Sequence, residues 1–420
     1  MRIKWFSLIR IAGLCSVLTY HFFANMYPGG FIGVDIFFTF SGFLITALMI
    51  DEFSKTNGFG LIAFYRRRFY RIVPPLIMSI LIVTPLTYLV NPDYIVGLGK
   101  QIAAAAGFVT NYFEIATGGS YESKFIPHLF VHTWSLAVEM HFYIIWGLLA
   151  AICAHIISRR GYFTAKATQV FRKCIGILSF IVAVTSATLM ALNSAGLTDF
   201  SKVYFSSVTH SFPFFIGAIL ASLTGIKTTT YGYERISRSA NRIVTILFLV
   251  VDLGILFYLG RALQFSLRST YIWGILVASL CSTIGIFLTR ILHDVTPNVD
   301  EPKWITFIAD TSYSMYLYHW PLFVIFSKLM SVPYAALLTV VIGLPLSATS
   351  YYVIEPLIAG KRPNFMGTRF LTGIKVCIAL IAVELIGIAG YTVHIAPKLT
   401  SLEQRLWISG LYQSADQIKT

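Results

Sequence analysis

Charge is what this chain has least of: only 12% of its 420 residues are Asp, Glu, Lys or Arg. A typical soluble domain carries about 25%. That shortage excludes a water-soluble enzyme, a disordered chain and a nucleic-acid-binding domain together. Negative charge is scarcer still, with 18 acidic against 32 basic residues. Cysteine is sparse too. Cys15, Cys153, Cys174, Cys281 and Cys377 form no CxxC pair, so they read as small hydrophobes and neither as a disulfide framework nor as a metal site. There is no internal repeat and no low-complexity tract.

What the chain has in excess is apolar runs long enough to cross a bilayer, which takes about 20 residues each. Hydropathy windows place spans at 6–26, 31–50, 72–91, 132–157, 174–192, 204–224, 243–260, 271–290, 305–329, 334–356 and 371–392. The first lacks a small-residue cleavage site and ends in aromatics, so it is no cleaved signal peptide. Segment 98–116 is apolar but interrupted by Gly99, Gly107 and Asn111, and reads as a re-entrant or surface helix. With that assignment most Lys and Arg fall on the side of the N-terminus, in Arg2–Arg10, Lys55–Arg71, Arg159–Lys173, Lys227–Arg242, Arg290–Lys303 and Lys361–Lys375. Positive loops mark the cytoplasmic side. The fold class is therefore all-α, a polytopic integral membrane protein of about eleven helices with the N-terminus cytoplasmic and the C-terminus outside. Residues 1–392 form the transmembrane domain, and 393–420 read as an extracytoplasmic tail or linker. The net charge of +14 is then mostly a topology signal, with no call for nucleic acid.

Ionisable groups within such spans are costly, which makes each a candidate site residue. Arg10 and His21 share the first helix, about 16 Å apart along its axis. Asp35 begins the second helix at the depth of His21, where it could orient the imidazole. His132, Ser135 and Glu139 recur at helical spacing on one face of the fourth. The ninth span carries Asp310, Ser314, Tyr318 and His319 ahead of Pro321, a residue that frees a backbone carbonyl. Glu355 closes the tenth. Asp252 and Glu384 are isolated in apolar spans and read as interhelical pairs. Arg66, Arg67, Arg68 and Arg71 crowd the inner boundary, where guanidinium groups suit either anionic lipid or a phosphate-bearing ligand. No metal is expected, because HxxxxxxE is not a ligand spacing.

Taken together, the Arg10–His21 segment, Gly30–Phe38 with Ser41–Thr46, Arg68–Pro74, Trp134–Glu139, Ser312–Pro321 and Tyr352–Pro356 resemble membrane-bound acyltransferase family 3, in family order. Within it the chain looks most like the peptidoglycan O-acetyltransferases of Gram-positive bacteria, particularly the streptococcal type, on the segment Gly118–His128. The resemblance implies acetyl-CoA as cytoplasmic donor and an extracytoplasmic glycan acceptor. It implies a membrane histidine at His21, its basic partner at Arg10 and paired arginines at Arg68 and Arg71. Such enzymes usually carry an extracytoplasmic hydrolase-like domain. Here 393–420 are expected to be the start of one, or a separate protein to accept the acetyl group. A transporter or flippase of an envelope intermediate is the competing expectation.

Overall fold

The computed structural model describes residues 3–118, 127–361, 363, 368–402 and 404–409. Most of the segment that carries the narrower resemblance, and the end of the polar tail, lie outside them. The described residues are helical, without a strand. In chain order the helices are α1 (Phe6–Phe22), α2 (Gly33–Thr56), α3 (Leu61–Leu86), α4 (Leu98–Ala106), α5 (Thr110–Ala116), α6 (Trp134–Ser158), α7 (Thr164–Asn193) and α8 (Ser201–Phe205). They continue with α9 (Phe212–Thr224), α10 (Tyr231–Ser239), α11 (Arg242–Ala262), α12 (Ile275–Val295), α13 (Lys303–Leu329), α14 (Val332–Thr349), α15 (Glu355–Ile358) and α16 (Thr368–Ile395).

Each predicted span except 204–224 coincides with helix over most of its length, yet the helices are not equivalent. Among the described residues eight are long and apolar enough to cross a membrane. Helices α1 and α9, of 17 and 13 residues, are shorter. At 1.5 Å per residue α9 covers about 20 Å, short of a hydrocarbon core of about 30 Å. The single span expected over 204–224 is in fact broken. The chain leaves α8 at Ser206 in an extended conformation and re-enters helix with Pro213 in the first turn, where a missing N–H costs nothing. Segment 98–116 divides into α4 and α5 at Gly107 and Phe108, and neither piece is long enough to span.

The outer faces of α7, α11, α14 and α16 expose large apolar side chains, such as Phe248, Val251, Leu337 and Leu380. In water that would be a fault. In lipid it is the expected surface, since backbone groups are satisfied within each helix. The interior is built around α2, which packs most intimately on α9. A Cβ at Gly42 would lie 1.9 Å from the Phe214 carbonyl oxygen, and one at Gly217 2.0 Å from that of Thr39. Lipid supplies no hydrophobic drive between helices, so close backbone approach through small residues substitutes for it. Gly42→Ala is expected to lower the stability of the detergent-purified protein by about 1–3 kcal/mol or more. Gly254→Ala, facing open space, should leave the melting temperature where it is.

The helices alternate in direction, and one end of the bundle collects the starts of α1, α3 and α13 with the ends of α2, α9, α12 and α14. Lys4 at the entry to α1 donates to the carbonyls of Thr296, Pro297 and Val299 beyond α12. Asp51 in α2 accepts from the backbone N–H groups of Lys227 and Thr228 beyond α9. Arg71 of α3 meets Glu355, the first residue of α15 beyond the end of α14. The basic loops of the sequence thus share one end, and the histidines His21, His132 and His210 gather toward the other.

Candidate active site

A cavity of about 680 Å³ opens within the basic end of the bundle. Its polar wall is made by Arg10, Ser41, Arg68, Arg71, Ser135, Glu139, Tyr143, Asp310 and Tyr316, over an apolar floor from α2. Of the four clustered arginines, the helical period of α3 turns two inward. The Arg71 guanidinium lies 3.2 Å from Glu355 and over the Tyr351 ring. The Arg68 Nε is buried without a hydrogen-bond partner. Arg66 and Arg67 do not reach the cavity. Arg67 pairs with Glu52 on the surface at 2.7 Å, and Arg66 is exposed.

Glu139 stands deeper. It accepts from Ser41 Oγ at 2.7 Å and from the Tyr143 hydroxyl, which also lies 2.6 Å from Ser41 Oγ. A buried carboxylate is tolerated there because its Oε1 accepts two hydrogen bonds and cationic side chains face the same space. The cavity stops at Tyr316 and Ser135. The Tyr316 hydroxyl is 2.6 Å from Ser135 Oγ and donates to the His132 carbonyl at 2.8 Å.

Behind this layer lie three histidines. His21 Nδ1 is 2.7 Å from His319 Nε2, and the two rings stack with centroids 4.9 Å apart. His319 Nδ1 is 2.6 Å from the Tyr316 carbonyl. His132 donates from Nε2 to the Leu317 carbonyl at 3.1 Å, which also accepts from Ser79 Oγ at 3.2 Å. That carbonyl is available because Pro321, four residues on, has no N–H to give it. The proline expected to free a backbone acceptor does so, and the acceptor orients a histidine.

The structure departs from the sequence reading at several positions. Asp35 does not hold His21. Its Oδ1 is 2.7 Å from His210 Nε2, with both side chains fully buried, while His210 Nδ1 faces the Tyr204 carbonyl at 2.6 Å. His210 sits in the break between α8 and α9, inside what reads as one apolar span. Glu139 is likewise not bonded to His21 and belongs to the cavity. His132 stands in a short 3₁₀ turn before α6, one layer behind Ser135 and Glu139. Ser314 and Tyr318 are buried off the cavity, Ser314 Oγ lying 3.4 Å from Glu355 and the Tyr318 hydroxyl having no partner. The expected interhelical pairing of Asp252 is also missing among the described residues. Its Oδ2 is buried against Gly285 with no hydrogen bond, and Glu384 is exposed on α16. Among the described residues no group of three or more His, Cys, Asp or Glu side chains is placed to hold a metal.

A deep cavity with a cationic mouth and a histidine cluster beyond its closed end is an arrangement suited to group transfer within a membrane. Residues 3–355 match the family described as an acyltransferase domain, family 3, and the chain belongs to that family of multi-pass membrane enzymes. It is similar to the O-acetyltransferase OatA of Staphylococcus aureus strains NCTC 8325, COL and MRSA252, at 27% identity over 376 residues, 86% of this chain. The chain spans only 58% of the length of these relatives. No solved structure matches it.

Proposed function

We propose that the protein is an O-acetyltransferase that takes acetyl groups from acetyl-CoA at its basic end and delivers them to a sugar hydroxyl on the opposite side, the muramic acid O6 of peptidoglycan being the favoured acceptor. The observation that carries this reading is the cavity with Arg68 and Arg71 on its wall and Tyr316 in its lining, since the Tyr316 carbonyl meets His319 and His319 meets His21. CoA is too polar to enter lipid, whereas its acetyl end is small and uncharged. Arg68 and Arg71 hold phosphates of the donor at the mouth, the basic loops put that mouth in the cytoplasm, and the pantetheine arm runs along the apolar floor.

Transfer joins the acceptor oxygen to the thioester carbonyl carbon and breaks the carbon–sulfur bond. The acceptor proton passes to His21 acting as general base, and the departing CoA sulfur is protonated in turn. Arg10, nearer the mouth than His21, faces the donor. The final acceptor is either the glycan itself or a hydrolase-like domain that relays the acetyl group to it.

Proteoliposomes test the reading directly. With acetyl-labelled acetyl-CoA outside the basic face and muropeptide or short glycan inside, label is expected to cross and become ester-linked to sugar. Flux of a glycan or lipid intermediate without consumption of acetyl-CoA would instead identify a carrier.

A further inference from the structure

The proposed function needs a lone pair on His21 at the atom that meets the acceptor, and an imidazole has two nitrogens that exchange roles with the tautomer. We infer that His319 is the positioning residue that settles this choice, holding His21 as the Nδ1–H tautomer with its lone pair on Nε2. The inference rests on the reading of His21 as general base and adds to it the identity of the group that orients that base.

The argument starts from an oxygen that can only accept. His319 Nδ1 lies 2.6 Å from the Tyr316 backbone carbonyl, so Nδ1 carries hydrogen. His319 is fully buried, as is His132 beside it, in a cluster walled by Phe22, Tyr316 and Trp320. A charged ring there would be costly, so His319 is neutral and its Nε2 bears a lone pair. That lone pair faces His21 Nδ1 at 2.7 Å. Two lone pairs do not approach so closely, so His21 donates from Nδ1, and its own lone pair is on Nε2. A backbone carbonyl thereby sets the tautomer of one imidazole, and that imidazole sets the tautomer of the next.

Three other polar groups the sequence suggests for this task are engaged elsewhere. Asp35 is taken by His210, and Glu139 by Ser41 and Tyr143. His132 donates from Nε2 to Leu317. The carboxylate of a hydrolase triad holds its histidine through a charged acceptor; in this protein a neutral acceptor does so, which suits a site buried among aromatic rings.

Two substitutions at one position separate positioning from mere packing. His319→Gln keeps a side-chain acceptor, and His319→Leu keeps bulk without one. In the full chain in proteoliposomes, His319→Leu should lower kcat for acetyl transfer by roughly 10²- to 10⁴-fold, with the KM for acetyl-CoA unchanged. His319→Gln should recover at least tenfold of that loss. Nitrogen-15 spectra of His21 should show Nδ1–H in the parent and in His319→Gln, and a mixture of tautomers in His319→Leu. A His319→Leu protein with parental kcat would overturn the inference. So would equal losses in both variants with the parental tautomer retained. His21→Ala tells the two levels apart. If it remains active, the general-base reading fails; if it is inactive while His319→Leu is not, only the role of His319 fails.

Discussion

Alanine at position 21 is expected to cut acetyl transfer by about 10²- to 10⁴-fold, the range that a positioned general base contributes. Binding of acetyl-CoA should survive, because His21 is not part of the cavity wall and stacks on His319 behind it. Equilibrium binding of labelled acetyl-CoA beside the transfer assay reads both quantities on the same preparation. Loss of transfer with retained donor affinity is the expected pair. Loss of both would make His21 structural and move attention to Glu139, whose partners Ser41 and Tyr143 face the cavity.

The second large effect concerns the donor. Each guanidinium removed from a phosphate should weaken CoA binding by on the order of 1.5–3 kcal/mol, roughly 10- to 150-fold. The double variant Arg68→Ala, Arg71→Ala should exceed either single one. Arg71→Ala also strips Glu355 of its ion pair, so Arg71→Lys is the informative partner: it keeps the charge near Glu355 but loses bidentate recognition. Arg66→Ala and Arg67→Ala serve as neighbours outside the cavity and should change affinity little. Unaltered CoA affinity in the double variant would remove the phosphate assignment.

The residues easiest to find in the sequence were those whose burial is expensive. Arg10, His21, Glu139 and His319 stand out because ionisable groups inside apolar spans must be satisfied by something. Whether each serves the reaction is a separate question, and Asp252 shows that the same signal can mark a carboxylate buried against a glycine with one oxygen unbonded. Arg68 and Arg71 could be distinguished from Arg66 and Arg67 only after α3 had a defined rotation, since four arginines in six residues leave the inward pair open.

Partners across long sequence separations were not legible. Asp35 and His210 are 175 residues apart, and no spacing rule connects them. One local signal was available: His210 is followed by Ser211, Phe212 and Pro213, and a proline in an apolar window tends to start a helix. The break before α9 could have been read from that. Once the window is broken, a histidine at the break ceases to be a stray polar residue within a span and becomes a residue at a helix start, where α2 also begins.

Tyr316 and Ser135 have a consequence for the membrane as a whole. Whichever face the cavity opens to, those two side chains interrupt it before the histidine cluster, and moving one elementary charge across a membrane at 100 mV involves about 2.3 kcal/mol. A continuous watery passage would let ions run down that gradient with every catalytic cycle. The two hydroxyls, fastened to each other and to the His132 carbonyl, stand where such a passage would have to be insulated. In the proposed reaction only a neutral two-carbon group would need to pass these side chains, while the phosphates of the donor would stay on their own side. Acyl traffic on the proposed route would then be separated from ionic traffic by charge alone.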